Sequence, residues 1–204
     1  WTKARAEELV LAASTGGFRT IALRPPFTWG VGDAVDRDIG AAIEKGRFGW
    51  FNGGCYPYAT CHVLNLAEAV VCALSSTAAG RAYFITDGEP VELRNFLERR
   101  IAAAGLHAPN ASVPVRLAWA LAGVIEGCWR TLRLRSDPPL TRETVRLMGY
   151  PFSINALRAR QELGYRPVVS VDEGLNWLTR GGSAPGSTSS VDMVKLRAAA
   201  RSAS

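Results

Sequence analysis

Few residues in this chain have types and spacings that could do chemistry. Lys3 stands at the start of a helix-like segment, and a fixed positive charge there would lower the pKa of a neighbouring acid. On an amphipathic helix the same residue is also an ordinary surface lysine. His62 and His107 are the only histidines. An imidazole at position 62 could serve as general acid or base, or sit buried and hydrogen-bonded in a structural role. The four cysteines, Cys55, Cys61, Cys72 and Cys128, contain no closely spaced pair of the kind a zinc site uses. Mixed into apolar stretches, they read as reduced core residues of an intracellular protein. Pro25-Pro26 fixes the main chain and removes two N–H donors, so the loop it opens arrives pre-shaped. Phe27, Trp29 and Trp50 are candidates for an apolar pocket wall, with a core role as the alternative.

The elements that would position these groups follow from periodicity. Residues 3–14 read as a helix with Ala6, Leu9, Val10 and Ala13 on one face, ended by Gly16-Gly17. Residues 19–24 read as a strand stopped by the two prolines, giving half of a parallel βαβ unit. A helix over 34–46, an aromatic strand at 48–51, a strand at 82–87 and a helix over 91–104 follow. Asn65 is placed as the cap of a helix running through 66–74. Ser170 and Glu173 form a capping box that opens the last helix. From Gly181 the composition turns to Gly, Ser, Ala, Pro and Thr, which predicts a flexible tail, with a transient basic helix at 193–201.

The net charge of +6 is uneven. Between 114 and 146 six arginines face three acids, and 180–204 is the other basic stretch. A nucleic-acid binder would place its excess on one face of a recognition element with aromatic interleaving, so that partner class is set aside. No apolar run reaches the length of a membrane span. Residues 113–134 instead form an amphipathic helix: at about 100° per residue, Leu117, Leu121, Val124, Ile125, Cys128 and Leu132 share one face. An interfacial helix, a lid over an apolar pocket, and plain packing are its three readings.

Several stretches, in order, resemble one family. Lys3 with Ala4, Ala6, Glu7 and Glu8 resembles the second half of the Tyr-x-x-x-Lys helix of extended short-chain dehydrogenases. Leu23-Arg24-Pro25-Pro26-Phe27-Thr28-Trp29-Gly30-Val31-Gly32 resembles their Leu-Arg-Pro-x-x-(Ile/Thr)-(Tyr/Trp)-Gly-x-Gly loop. Thr60-Cys61-His62-Val63-Leu64-Asn65-Leu66 and Tyr83-Phe84-Ile85-Thr86-Asp87-Gly88 resemble the 3β-hydroxysteroid dehydrogenase branch, with Leu64 where members often carry Asp or Lys. Leu163-Gly164-Tyr165 through Gly174 resembles the superfamily terminus.

The resemblance implies an α/β fold: the C-terminal half of a Rossmann-like doubly wound parallel sheet plus a smaller, mostly helical substrate-binding part. Residues 1–33 would end the dinucleotide-binding domain and 34–58 would lie on the substrate side. Residues 59–88 would return to the sheet and 89–180 would form the helical region. It further implies an NAD- or NADP-dependent oxidoreductase acting on a secondary alcohol of a sterol-like substrate. Lys3 would be the catalytic lysine, hydrogen-bonding the nicotinamide ribose and favouring phenolate on a tyrosine four residues earlier. Pro25, Pro26 and Phe27 would touch the nicotinamide; Phe27, Trp29, Trp50 and His62 would face substrate. The chain, opening on Trp1, is thus expected to be a C-terminal portion, lacking the Gly-rich pyrophosphate turn and inactive alone. A homodimer, a cytoplasmic location and peripheral membrane contact through 113–134 complete the expectation. A nucleotide-sugar epimerase or reductase, or a non-catalytic redox sensor or scaffold, are the alternatives.

Overall fold

The computed structural model describes residues 2–134 and 136–180, with only the backbone over 34–37. The expected tail and its basic helix lie outside the described residues. The chain divides into two units. Unit 1 comprises residues up to Val31, Ala59–Pro90 and the chain from Ile154; unit 2 comprises Gly32–Tyr58 and Val91–Ser153.

In unit 1, helix α1 (Thr2–Ala12) leads into strand β1 (Ile21–Arg24). The helix stops at Ala12, before the glycines expected to end it, and neither Gly16 nor Gly17 has the positive φ of a left-handed cap. Pro25-Pro26 interrupts the extended chain, which resumes as β2 (Phe27–Trp29). Two parallel ladders result. β1 pairs with β6 (Arg81–Phe84), and β2 pairs with β5 (Thr60–His62). The chain after β6 links them, since Ile85 N–H donates to Arg24 C=O and Asp87 N–H to Thr60 C=O. Parallel pairing sends the carboxyl ends of the strands in each ladder toward one edge, where open α/β sheets hold their ligands.

Helix α3 (Val63–Ser75) follows β5 directly, and α7 (Leu157–Glu162) and α8 (Val171–Thr179) complete the unit. The core gathers Cys61, Ala69, Cys72, Tyr83, Ile85, Ala159, Leu163 and Tyr165. Residues 154–180 therefore belong with the sheet, not with the helical region in which the sequence placed them. Ala159, Leu163 and Tyr165 bury their side chains in this core, and the Tyr165 hydroxyl donates to Thr86 C=O at 2.9 Å.

Unit 2 holds α2 (Ala34–Glu44), β3 (Trp50–Phe51), a 3-10 turn at Asn52–Gly54, β4 (Pro57–Tyr58), β7 (Val91–Glu92), α4 (Leu93–Ala103), β8 (Ser112–Val113), α5 (Val115–Thr131) and α6 (Arg142–Met148). β3 pairs parallel with β8 and β4 antiparallel with β7. Arg100 on α4 is buried and grips Asp33 with two hydrogen bonds of 2.9 Å. A planar guanidinium matches a carboxylate in this way. That pair pins the chain just after Gly32, whose φ of 80° favours glycine.

Of the three readings of helix α5, packing through its apolar arc is not the one the structure shows. Val115, Ala118 and Ala122 are its buried residues, joined by Val145 of α6 in a small cluster. The larger side chains of the expected apolar face point outward: Leu117 is 53% exposed, Leu121 45%, Val124 65% and Leu132 67%. Small residues let α6 approach α5 closely; a Cβ on Gly149 would fall 2.7 Å from Val115 Cγ2. Packing against the rest of the chain therefore uses the alanine face, not the leucine face.

Candidate active site

The site builds on the junction between the two ladders of unit 1. β1 ends at Arg24, and Pro25 and Pro26 follow with no N–H to donate. Phe27 then re-enters a ladder beside Thr60. Pro25, Pro26 and Phe27 are each half-buried, so this stretch presents a partly open, donor-poor surface next to the strand's carboxyl end. Such a surface suits the face of a planar heterocycle, and in this respect the residues present fit the nicotinamide end of a dinucleotide.

Lys3 is exposed in the first turn of α1. One helical turn later Glu7 accepts from both the Nε (2.8 Å) and the terminal nitrogen of Arg24. Arg24 immediately precedes Pro25, so the lysine helix and the proline loop are tied at their roots. The Arg24 hydrogen bonds hold the Glu7 carboxyl below the usual range, and Glu7 in turn raises the Arg24 guanidinium. No side chain of α1 is buried, which leaves this ion pair as one of the helix's few specific attachments to the sheet.

Behind the loop lies a polar hub that sequence reasoning missed. Oδ2 of Asp87 accepts from Trp29 Nε1 at 2.7 Å and Thr60 Oγ1 at 2.8 Å. Oδ1 accepts from His62 N–H at 2.5 Å and Asn65 Nδ2 at 2.7 Å. One carboxylate thus fastens β2, β5 and α3 together. Asn65 is not the helix cap. It lies inside α3, fully buried, where Nδ2 also donates to Val169 C=O and Oδ1 accepts from Val168 and Val169 N–H. His62 caps the helix instead, its Nδ1 accepting from Leu64 N–H at 3.2 Å. An acceptor Nδ1 places the proton of the neutral ring on Nε2. The one visible signal was the pairing of Trp29 and Asp87 within two separate motifs.

Trp29 and His62 are 1% and 3% exposed, with ring centroids 4.7 Å apart in an edge arrangement. Trp177 of α8 approaches His62 at 5.9 Å. Gly174 of α8 closes the packing, since a Cβ there would fall 2.6 Å from Trp29 Cη2. The structure thus brings Pro25, Pro26, Phe27, Trp29 and His62 together, with Trp29 and His62 in the supporting layer. Trp50 lies in unit 2, buried, donating from its indole to Pro109 C=O at 2.8 Å and covered by Arg94, whose guanidinium carbon is 5.2 Å from the ring centroid. An apolar groove of about 580 Å³ in unit 1 opens elsewhere, among Val10, Phe18, Thr20, Ile21, Val70 and Leu74. It does not include Lys3 or the proline loop, and chemistry is better placed at the strand ends. Among the described residues no cluster of His, Cys, Asp or Glu could hold a metal ion.

The chain is similar to known proteins over most of its length. The chain is 41% identical over 184 residues to 4-hydroxy-2-methyl-3-oxo-4-farnesyl-3,4-dihydroquinoline-1-oxide ketoreductase of Stigmatella aurantiaca, covering 90% of this chain and 55% of that protein. It is 32% identical over 188 residues to 3beta-hydroxysteroid-dehydrogenase/decarboxylase isoform 2 of Arabidopsis thaliana, covering 85% and 33%. The chain spans about half the length of curated relatives it matches, 55% and 56% of two of them. The solved dTDP-glucose 4,6-dehydratase of Bacillus anthracis, in complex with NAD, shares the fold, with a TM-score of 0.55 at 16% identity over 88% of this chain and 50% of that one. Residues 1–115 match the model of one family, and with it the α/β dehydrogenase-type fold is established: the chain belongs to the 3-beta hydroxysteroid dehydrogenase/isomerase family.

Proposed function

We propose that the protein interconverts a secondary alcohol and a ketone on an apolar, sterol- or isoprenoid-like substrate, using NAD or NADP. The observation that carries this is the Glu7–Arg24 pair, which joins the helix of Lys3 to the root of Pro25–Phe27. The bound nicotinamide supplies hydride transfer. Lys3 hydrogen-bonds the ribose and, by its charge, favours phenolate on a tyrosine acting as general acid or base. Pro25 and Pro26 hold the loop rigid against the ring, and Phe27 offers the apolar surface nearest substrate. Trp29 and His62 act from behind by fixing the backbone. The farnesyl group named in the Stigmatella relative's substrate supports an apolar ligand.

Contact of residues 113–134 with a membrane surface, and a homodimer, belong to the same proposal. Among the described residues no helix is long and apolar enough to cross a membrane. The test is Lys3→Met in the full-length protein, followed by absorbance of the reduced nicotinamide. Turnover should collapse by roughly 100-fold or more, as for loss of a group acting in acid–base catalysis, with the fold intact by circular dichroism. Near-wild-type turnover would return Lys3 to the surface and remove this mechanism.

A further inference from the structure

We infer that Arg24 is a positioning residue for Lys3: by holding the Glu7 carboxylate it keeps that acid from capturing the lysine, so the ammonium stays available to a bound ligand. This rests on the reading of Lys3 given above and adds a reason why the Glu7–Arg24 pair stands where it does.

The spacing along α1 sets up a competition. Lys3 and Glu7 are four residues apart on the helix, and side chains at that spacing are surface neighbours. Opposite charges so placed attract, so Glu7 left alone would draw the Lys3 ammonium along the helix toward its C-terminal end. The order with lysine first is the weaker of the two, and a stronger cation displaces it.

Arg24 is that cation. It reaches Glu7 from β1, Nε donating to Oε2 at 2.8 Å and a terminal nitrogen donating to Oε1. A planar guanidinium making two such bonds grips a carboxylate more firmly than a single ammonium does. The same hydrogen bonds hold the Glu7 carboxyl below the usual range. Arg24 is itself fixed from the side of β6. Its guanidinium carbon lies 5.2 Å from the Phe84 ring centroid, and its C=O accepts from Ile85 N–H at 3.2 Å. The other acid of α1, Glu8, accepts from Arg5 at 2.9 Å. Both acids of the helix are thus matched with arginines. Lys3 is exposed and forms no ion pair among the described residues.

A plain staple between α1 and β1 would use the same two side chains, but the roles differ in their consequences. For a staple, losing either partner is equivalent, and losing both is no better than losing one. For a shield, losing Arg24 alone does the harm, because the acid remains beside Lys3. Removing Glu7 as well undoes it.

The experiment is trace acetylation of the full-length protein with acetic anhydride at low salt. Peptide mass spectrometry reads the rate at Lys3 against that at Lys45, which is exposed in unit 2. An ammonium held by a carboxylate gives up its proton less readily and so acylates more slowly. Arg24→Gln should slow Lys3 relative to Lys45 by roughly two- to fivefold, the span that an exposed ion pair supplies. Arg24→Gln with Glu7→Gln should restore the wild-type ratio. Arg24→Lys, which keeps a cation opposite the acid, should hold it. An unchanged ratio in Arg24→Gln, or a double variant as slow as the single one, would overturn the inference. Circular dichroism checks that each variant is folded, and recovery in the double variant separates capture from a general loosening of α1. None of these readouts uses hydride transfer. If Lys3→Met turns over like wild type, the alcohol–ketone reading falls, while the acetylation ratios still decide whether Arg24 shields the lysine.

Discussion

Replacing Asp87 by Asn tests whether one carboxylate holds the candidate site together. The carboxylate takes four hydrogen bonds, from Trp29, Thr60, His62 and Asn65. Every donor residue is buried, none more than 3% exposed. An amide keeps one oxygen, which can serve His62 and Asn65, and turns an N–H₂ toward Trp29 Nε1 and Thr60 Oγ1. The threonine hydroxyl can rotate to accept from that amide. The indole cannot, so its N–H loses this acceptor at about 1–3 kcal/mol. Loss of the negative charge weakens the two remaining bonds, each worth about 1.5–3 kcal/mol when charged against about 1 when neutral. Together these place the destabilisation at about 2–5 kcal/mol, a large share of an ordinary domain's stability. Urea unfolding followed by far-UV circular dichroism measures it, with near-UV signals reporting the Trp29 environment. A midpoint within about 0.5 kcal/mol of wild type, with unchanged near-UV signal, would refute the hub's role. Asp87→Ala should be worse than Asp87→Asn, because it removes both oxygens.

Four further outcomes follow from the structure. Gly174→Val would push a side chain into Trp29, whose Cη2 lies 2.6 Å from the Cβ position, and should cost about 1–3 kcal/mol. Gly127→Ala, with nothing within 4 Å, should instead raise the melting temperature slightly, by better helix propensity. Glu162 is held down to about 2 by hydrogen bonds from Tyr83, Arg81 and Arg158. A carboxyl lowered in the folded state stabilises above its unfolded value of about 4.5 and loses that contribution as pH falls through about 2. Melting temperature should therefore drop more steeply below pH 4.5 in wild type than in Glu162→Gln; parallel curves would show the cluster to be inert. Burial, and then the Asp87 charge, push the Cys61 thiol up to about 12. A thiol reagent near pH 8 should label the exposed Cys55 and Cys128 in the native protein and the buried Cys61 and Cys72 only on unfolding. Four thiols reacting at one rate would contradict the burial.

Local signals carried the sequence reading well where the physics was local. The Ser170–Glu173 capping box forms as expected, because its partners are three residues apart. The strand before Pro25 ends where two missing N–H groups force it to end. Non-local partners were invisible. Asn65 has the right chemistry for a cap, but its amide is committed to Asp87 and to Val168 and Val169, about a hundred residues away. That commitment left capping to His62. Trp29 could be read as pocket wall or as core, because an aromatic in a loop motif has no visible neighbour in sequence, and Gly174, which packs against its ring, lies in a different motif. On α5 the wheel correctly separated apolar from charged residues. Inward packing was one of its three readings for that arc; the small residues Ala118 and Ala122 allowed the closer approach and so formed the packed side.

The alternation of segments between the units has a consequence for biosynthesis. The chain passes from one unit to the other after Val31, Tyr58, Pro90 and Ser153, so no single cut frees either. During synthesis, unit 2 has all its residues once Ser153 has emerged. The partners of Asn65 and Trp29 in unit 1 are Val168, Val169 and Gly174, which are still to come. The buried amide of Asn65 and the open face of Trp29 must wait for them, and contacts so distant in sequence form slowly. A ribosome stalled before residue 168 would therefore carry every residue of unit 2 while Asn65 and Trp29 of unit 1 still lack their partners, so the candidate site matures after unit 2 is complete in sequence.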